Sequence, residues 1–361
     1  MRKTPLRPIS LLAFSLLAAA PGLRGETVRT LKLELSGADA SRFAVENLVG
    51  TMRVSAGTGG SVEIVATVYG ENDAVAGAVR LERVSGEGAT VRVRYPYERV
   101  SAFRYRAPSD RDSGFFSGWS SSDDVEYDGH HVRISRGHGT WLHADLDVRV
   151  PASRVAARFA QKVGLLEAEH IQGDLGFLVA SADLRLRALE GSLKLEGSSG
   201  DVRARDVKGT WSSDFSSGDC DLVGFEGDSL SIRTTSGDAS LRSVKARRAE
   251  FESTSGDVRL VDADLQELSA EASSGDVAFE AAGASLREAR IRTSSGDVSL
   301  RLPSESSFQV EADQSSGDME VNFDGGSVVN HRDRVVGYRH GTGGARILVR
   351  TSSGDLTVSP G

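Results

Sequence analysis

Regularly spaced carboxylates are the first residues in this sequence whose type and spacing could do chemistry. A Ser-Gly-Asp phrase recurs through the C-terminal half, and successive aspartates lie 18, 19, 19, 19, 21, 21 and 37 residues apart. The glycine-aspartate pairs are Gly200-Asp201, Gly218-Asp219, Gly237-Asp238, Gly256-Asp257, Gly275-Asp276, Gly296-Asp297, Gly317-Asp318 and Gly354-Asp355. Dense carboxylate oxygens suit calcium, whereas a fixed period of this length is typical of a stacked repeat fold.

We favour a structural role for these turns, with calcium binding as the alternative. A glycine at a fixed place predicts a positive φ angle, and serine or aspartate beside it can hydrogen-bond nearby backbone amides. Carboxylates ~4.8 Å apart on neighbouring strands repel by about 0.9 kcal/mol in water. Each therefore needs backbone donors, a bound divalent ion, or nearby cations such as Arg203, Arg259 and Arg301. One aspartate per repeat is sparse for calcium, because the calcium-binding nonapeptide repeats have half this period.

Histidines and a single cysteine are the other reactive residues, and neither predicts a catalytic, cofactor or metal site. Four of the seven histidines, close in sequence to Asp128 and Asp145, are His130, His131, His138 and His143. Their spacing matches no standard zinc pattern, so the sequence predicts an exposed polar loop rather than a metal centre. Cys220 lies between Asp219 and Asp221, whose charges do not favour a thiolate, and is predicted to be a small core residue.

Two short strands per repeat would position the aspartates. Counting from each aspartate, positions −8, −6, +1 and +3 are apolar or small, and the residues between them are polar, the two-residue period of half-buried strands. Around Asp238 these positions hold Leu230, Ile232, Ala239 and Leu241. The same rule finds repeats at Asp183, where Ala182 replaces the glycine, and at Leu165, where the aspartate is missing. The sequence thus predicts an all-β fold, a parallel β-solenoid of about ten coils of 18–21 residues each.

The composition agrees with a folded, exported protein. The 361 residues include 40 glycines and 8 prolines and are 39% hydrophobic and 26% charged, which favours a turn-rich β fold over disorder. Residues 1–25 place basic residues before an apolar run from Ile9 to Ala20, the order of a secretory signal. The expected location is the periplasm, the cell surface or the extracellular space. Without these residues, 39 basic residues face 51 acidic ones, so nucleic acid and anionic membranes are not expected partners.

Four segments are expected. Residues 1–25 are the signal, 26–95 a strand-rich N-terminal cap, 96–145 an inserted loop, and 146–361 the repeats. The insert is rich in aromatic residues, and its candidate contact surface consists of Phe115, Phe116, Trp119, Tyr127 and Trp141. Residues 323–344 are expected to leave the stack as a loop or hairpin, after which Ile347 to Val358 form the last coil.

With these repeats in view, the chain resembles the bacterial "putative adhesin" family of β-strand-repeat proteins, a domain of unknown function. The resemblance rests on the Ser-Gly-Asp repeats, on residues 45–50 (VENLVG) and on the closing stretch 343–356, and covers about Thr30 to Val358 apart from the insert. It implies an envelope or surface location and a β-solenoid fold. It brings no catalytic residues.

The leading functional hypothesis is a non-enzymatic envelope protein, an adhesin or a rigid binding or structural scaffold. Its partner would be an envelope protein or a glycan. A carbohydrate-active β-helix enzyme, a lyase or hydrolase, is the first alternative, but an aspartate present in every repeat has a structural rather than a local distribution. A surface fibre that self-associates through exposed strand edges is the second alternative.

Overall fold

The computed structural model describes residues 27–84, 88–106, 122–331 and 334–361, and this part of the chain is almost entirely β-structure. The one-turn helices are α1 (Ala38–Ser41) and α2 (Asp73–Ala76). The strands before the repeats are β1 (Thr27–Leu35), β2 (Arg42–Ala56), β3 (Val62–Gly70), β4 (Arg80–Val84), β5 (Ala89–Arg94), β6 (Ala102–Arg104), β7 (Ser122–Tyr127), β8 (His130–Ser135) and β9 (Thr140–Val150).

The repeat region continues with longer strands that run from one Gly-Asp turn to the next or cross it. They are β10 (Val155–Glu169), β11 (Gln172–Arg187), β12 (Glu190–Ser199), β13 (Val202–Ser217), β14 (Cys220–Ser236), β15 (Ala239–Ser255), β16 (Val258–Ser274), β17 (Val277–Ala281), β18 (Glu288–Ser295) and β19 (Val298–Leu302). The C-terminal strands are β20 (Phe308–Ser316), β21 (Met319–Val321), β22 (Ser327–His331), β23 (Arg334–His340), β24 (Ala345–Ser353) and β25 (Leu356–Pro360).

Successive repeats pair as parallel strands in register, which places equivalent residues one above another. β14 pairs with β15 and β15 with β16 at an offset of 19 residues, so that Leu230 lies beside Ala249 and then Leu268. The inward residues of this column are at most 2% exposed. Burial alternates along each strand, as the predicted core positions require. The predicted all-β class is confirmed, and the pairing pattern is solenoid-like.

Residues 26–95, expected as a strand-rich N-terminal cap, pair directly with the repeats, and β2 continues their parallel pairing. β2 pairs in parallel with β10 over thirteen register positions, and its second half pairs on its other side with β9. The predicted repeats did not include β2, although Phe43, Val45, Met52 and Val54 occupy the four apolar positions of the rule around the Gly50-Thr51 turn. Beyond β9 the pairing becomes antiparallel, first with β3 and then between β3 and β1.

The stretch 96–145, expected as a loop, contains three complete strands and the start of β9. β7 and β8 form an antiparallel hairpin around Asp128-Gly129, whose φ angles are 52° and 76°. Positive φ at both central residues is the geometry of a two-residue type I′ turn, for which Asp-Gly is a favoured sequence. This Asp-Gly signal marked the hairpin in the sequence.

The spatial order of the last repeats differs from their order in the chain. β24 pairs in parallel with β18 on one side and with β20 on the other, and β25 lies in the same way between β19 and β21. The repeat that ends at Asp355 therefore lies between those of Asp297 and Asp318. Its prediction as the last coil is wrong, because β20 and β21 occupy the outer position, where β20 pairs with β23 of the hairpin formed by β22 and β23.

The glycine of each turn approaches the backbone of the neighbouring repeat too closely for any side chain. Gly256 has φ 143°, and a Cβ atom built there would lie 2.2 Å from the carbonyl oxygen of Gly237. The same contact recurs along the column, from Gly218 against Gly200 to Gly354 against Gly296. A methyl group at these sites meets both a steric clash and a backbone region that favours glycine.

The aspartates of the turns form a ladder with the backbone amides. The N–H of each aspartate donates to Oδ1 of the aspartate in the preceding repeat of the stack, in eight successive hydrogen bonds of 2.8–3.1 Å from Asp183 to Asp318. In the N-terminal part of the stack, the N–H of Thr51 donates to Oδ1 of Asp145 at 2.9 Å. Backbone donors, a divalent ion or nearby cations were the predicted ways to balance these charges. At each of these hydrogen bonds the structure uses a backbone donor.

The first prediction concerns the glycine column. We expect Gly256→Ala to lower the free energy of unfolding by about 2–4 kcal/mol, through backbone strain and a clash that adjacent repeats cannot relieve. The matched control is Gly283→Ala, because a Cβ at Gly283 would meet nothing within 4 Å. Urea denaturation of both variants measures the difference. Equal stability of the two variants would contradict a steric role for the turn glycines.

The second prediction concerns Asp183, a half-buried ladder carboxylate. Burial raises its pKa to about 6, against the opposing hydrogen bond from the Asp201 amide. A raised folded pKa means that the stabilising contribution is complete below the unfolded pKa of about 4 and is lost as the pH rises through 6. Asp183→Asn keeps an oxygen acceptor without the charge. We expect the variant to be about 1–3 kcal/mol more stable than the native chain at pH 7.5, and to lose this advantage at pH 4.

Denaturation at both pH values measures this difference. Asp238→Asn, at an exposed turn with the same ladder hydrogen bond, separates the effect of burial from the loss of a ladder carboxylate. An Asp183→Asn variant that is no more stable than the native chain at pH 7.5 would refute the account.

Candidate functional site: the arginine groove

Four arginines face outward from two neighbouring strands directly after the turn. Arg185 and Arg187 alternate with buried Leu184 and Leu186 in β11, and Arg203 and Arg205 alternate in the same way with Val202 and Ala204 in β13. The register places Arg185 beside Arg203 and Arg187 beside Arg205. We call these four residues the arginine square. Because the buried partners are at most 2% exposed, the strands hold the arginine backbones rigidly.

The arginine square lies in a groove of about 750 Å³ on this face of the stack. Arg53 from β2 and Arg149 from β9 extend the basic lining, and the acidic lining residues are Glu63, Asp147, Glu167 and Glu169. Parts of the chain that are distant in sequence thus build one site, because β9, β2, β10, β11 and β13 are successive neighbours in the stack.

Along the row of outward residues that contains Arg53, the charges alternate in sign from Asp147 on β9 as far as the arginine square. Arg53 pairs with Glu167 at 3.1 Å, and Glu167 pairs with Arg185 at 3.3 Å. On the far side, Arg203 lies beside Asp221 in the register. Between β11 and β13, however, arginine faces arginine at both outward positions. Like charges directly opposite each other destabilise a sheet, by about 0.9 kcal/mol for a pair ~4.8 Å apart in water.

The arrangement is suited to holding an anion. Arginine stays protonated at any physiological pH, and its planar guanidinium donates two parallel hydrogen bonds to a carboxylate or phosphate. Arg187 and Arg205 form no ion pair within the described ranges and are exposed. A ligand with two or more anionic groups would relieve the repulsion between the strands and bridge them at the same time.

The predicted aromatic contact surface is only partly described, and the structure corrects one of its members. Tyr127 is 3% exposed, and its hydroxyl donates to the carbonyl oxygens of Glu46 and Val93, both at 3.0 Å, so it is a core residue. Trp141 is half-buried and meets the ring of His143 edge-on at 5.1 Å. Phe115, Phe116 and Trp119 lie outside the described residues.

The four clustered histidines do not converge. His143 is buried and stacks on Tyr69 at 4.8 Å, and burial lowers its pKa to about 4. His130 stacks on Tyr97 at 4.5 Å, in another part of the insert. Asp128 is held by Arg92 and Arg94. In the described residues no three His, Cys, Asp or Glu side chains come together as metal ligands would.

Cys220 lies in the core of the stack. It is 8% exposed, and burial, assisted by the charges of Asp221 and Asp219, raises its pKa to about 12. A protonated, buried thiol is a packing residue and not a nucleophile.

The sequence contained a signal for the arginine square that composition does not reveal. When the repeats are aligned on their turns, residues 184–187 (LRLR) and 202–205 (VRAR) place arginine at the same two outward positions in consecutive repeats. Arg53 has the same signal when Gly50 is aligned with the turn glycines, whereas Arg149 has none, because β9 lacks the Ser-Gly-Asp phrase.

The solved structures that match the chain include three bacterial proteins of low identity, all with TM-scores below 0.5. A "putative lipid binding protein" from Parabacteroides distasonis is 11% identical with a TM-score of 0.41, covering 92% of this chain and 96% of that chain. A "putative adhesin" from Bacteroides fragilis is 11% identical with a TM-score of 0.38, covering 93% and 100%. A "putative cell adhesion protein" from Clostridium sporogenes is 8% identical with a TM-score of 0.25, covering 93% and 100%.

No curated protein matches the chain. Within the described part of the chain, no helix has the length and apolar character needed to cross a bilayer. The family model described as Toastrack DUF4097 matches residues 145–359, which is more than half of the sequence. The chain therefore belongs to the Toastrack DUF4097 family.

Proposed function

We propose that the protein is a non-enzymatic binding scaffold, exported to the cell envelope, that holds an acidic glycan in the arginine groove. The ligand would carry carboxylate or phosphate groups at regular intervals. The observation that carries this proposal is the arginine square, where two strands place like charges opposite each other on a rigid face.

The geometry of parallel strands explains the preference for a repeating ligand. Neighbouring strands lie ~4.8 Å apart, and alternate residues along one strand lie about 6.6 Å apart, so the four arginines form a small grid. In this proposal the parallel pairings continue as one β-solenoid of about ten coils, which keeps the grid rigid. A preorganised site loses little side-chain and backbone freedom when it binds.

The charge of the rest of the chain would restrict the ligand to the groove. The sequence has 51 acidic and 43 basic residues, a net charge of −8, so most of the surface repels a polyanion. Binding that depends on exposed arginines weakens as salt is added, because the Debye length falls to about 8 Å at physiological ionic strength. Export follows from the secretory pattern of residues 1–25.

The third prediction tests the groove by charge reversal. Arg187→Glu/Arg205→Glu in the chain without residues 1–25 should weaken binding of polygalacturonate or polyphosphate at least about tenfold, since two charge-assisted contacts become repulsive. The matched control is Arg242→Glu/Arg259→Glu, which makes the same charge change further along the same face. Titration calorimetry at low salt measures both variants, with neutral dextran as the uncharged ligand.

The outcomes separate the alternatives. Stronger binding of polygalacturonate than of polyphosphate would identify carboxylates as the preferred groups, and the reverse would identify phosphates. Equal weakening by the control variant would show that only net charge matters and would refute the groove. New reducing ends or unsaturated products in the polygalacturonate mixture would show an enzyme and would refute the scaffold.

A further inference from the structure

The C-terminal segment 345–361 fills a slot inside the stack. On one side of this slot lie β18 and β19, and on the other lie β20 and β21. After β19 ends at Leu302, the chain skips the adjacent position in the stack and forms β20 at the next one. The last strands, β24 and β25, then occupy the skipped position. β20 and β21 pair with the other repeats through this segment, so the segment joins the outer repeat to the stack.

The slot accepts only a segment of the repeat type. Ile347, Val349, Leu356 and Val358 are at most 1% exposed. A side chain at Gly354 would lie 2.2 Å from the carbonyl oxygen of Gly296, and one at Gly317 would lie 2.1 Å from that of Gly354.

The aspartate ladder crosses the slot on both sides. The Asp355 amide donates to Asp297 Oδ1, and the Asp318 amide donates to Asp355 Oδ1, both at 2.9 Å. A filling strand thus needs apolar residues at four fixed places and a Gly-Asp turn between them. The same segment of another molecule meets these requirements in full.

The connection to the segment has the composition of a hinge. Residues 341–344 (GTGG) join β23 to β24, and Gly341 and Gly343 have φ angles of 61° and 77°. His340 of β23 and Ala345 of β24 pair with Phe308 of β20 from opposite sides. Residues 341–344 must therefore cross over β20, from the strand on one side of it to the strand on the other. If they extend instead of folding back, the segment leaves its own slot and is free to enter another.

We propose that the C-terminal segment is an exchangeable strand and that its slot is an interface for a second copy of this chain. Two molecules that exchange segments keep every hydrogen bond and buried residue of the slot, because the same sequence fills it. This reciprocal exchange forms a closed dimer. It differs from edge-to-edge pairing, which would leave free edges and form fibres. A dimer would also carry two arginine grooves, which would raise the avidity for a polymeric ligand.

A cysteine pair across the slot tests the proposal in the full chain. Arg292 and Arg350 are exposed register partners on β18 and β24, so Arg292→Cys/Arg350→Cys places two thiols on adjacent strands at a spacing that a disulfide can bridge. The protein is unfolded, refolded at high concentration, separated by size exclusion and oxidised. The dimer fraction should become covalently linked between chains, and the monomer fraction should show only links within one chain.

The matched control is Arg233→Cys/Glu252→Cys, a register pair between β14 and β15 that does not take part in the exchange. Its links should remain within one chain in both fractions. If the dimer fraction of the Arg292→Cys/Arg350→Cys variant also shows only links within one chain, or if no dimer forms, the proposal is overturned.

A shortened hinge provides a second test that needs no cysteine. Deleting residues 342–344 leaves two Cα–Cα steps of about 3.8 Å between His340 and Ala345, which cannot span two strand spacings of ~4.8 Å. The segment then cannot fill its own slot. We expect the dimer-to-monomer ratio in sedimentation to rise at least about tenfold. A folded variant that remains monomeric would overturn the proposal.

Discussion

The close approach of each turn glycine to the carbonyl oxygen of the neighbouring repeat is the contact on which the stack depends. A Cβ atom would lie 2.2–2.3 Å from such an oxygen at Gly237, Gly275 and Gly354, so no substituent fits between the two backbones. The contact fixes both the distance between neighbouring repeats and the register of their strands. A register shift of one residue would place a side chain where only a glycine fits. Since the side-chain period of a strand is two residues, the phase at the turn also decides which residues enter the core and which face solvent.

The aspartate ladder adds to this contact but does not replace it. At Gly50-Thr51 and Gly164-Leu165 the aspartate is missing, yet both glycines keep φ angles above 100° and the same approach to the neighbouring carbonyl. Ala182 is the converse case, because it has no positive φ and the following Asp183 still accepts the ladder hydrogen bond. The glycine therefore sets the geometry of the turn, and the aspartate satisfies an amide of the next repeat. The amide donor stabilises the charged form of such a carboxylate, whereas burial destabilises it. At Asp183 the effect of burial on the pKa is the larger of the two.

The sequence was sufficient to predict the buried positions, which follow from the repeat period. It was insufficient to predict which strands lie next to each other in the stack. Core positions such as Leu230 and Leu241 followed from fixed offsets and are buried. The exchanged order of the last repeats could not be predicted, because β20 and β24 satisfy the same offsets and only long-range pairing distinguishes them. Tyr127 was misplaced for a related reason, because an aromatic residue in a polar stretch fits both an exposed surface and the buried core. The groove could be predicted only in part from the sequence. β2 and β9 also line it, and the repeat pattern does not show where these two strands lie in the stack.

A sheet that alternates charges along one face gains weak attraction at each step, and a single repulsive step costs little by comparison with the buried core. The arginine square is such a step, worth about 1 kcal/mol per facing pair in water and less in salt. A stack with this many buried repeats tolerates that cost without losing its fold. Tolerance alone does not explain why both outward positions of two adjacent repeats carry arginine, since serine or an acidic residue at one position of each facing pair would remove the repulsion. An anion bound as proposed would explain it, because it would turn both repulsive pairs into attractive contacts with arginines whose backbones are held by the packed strands.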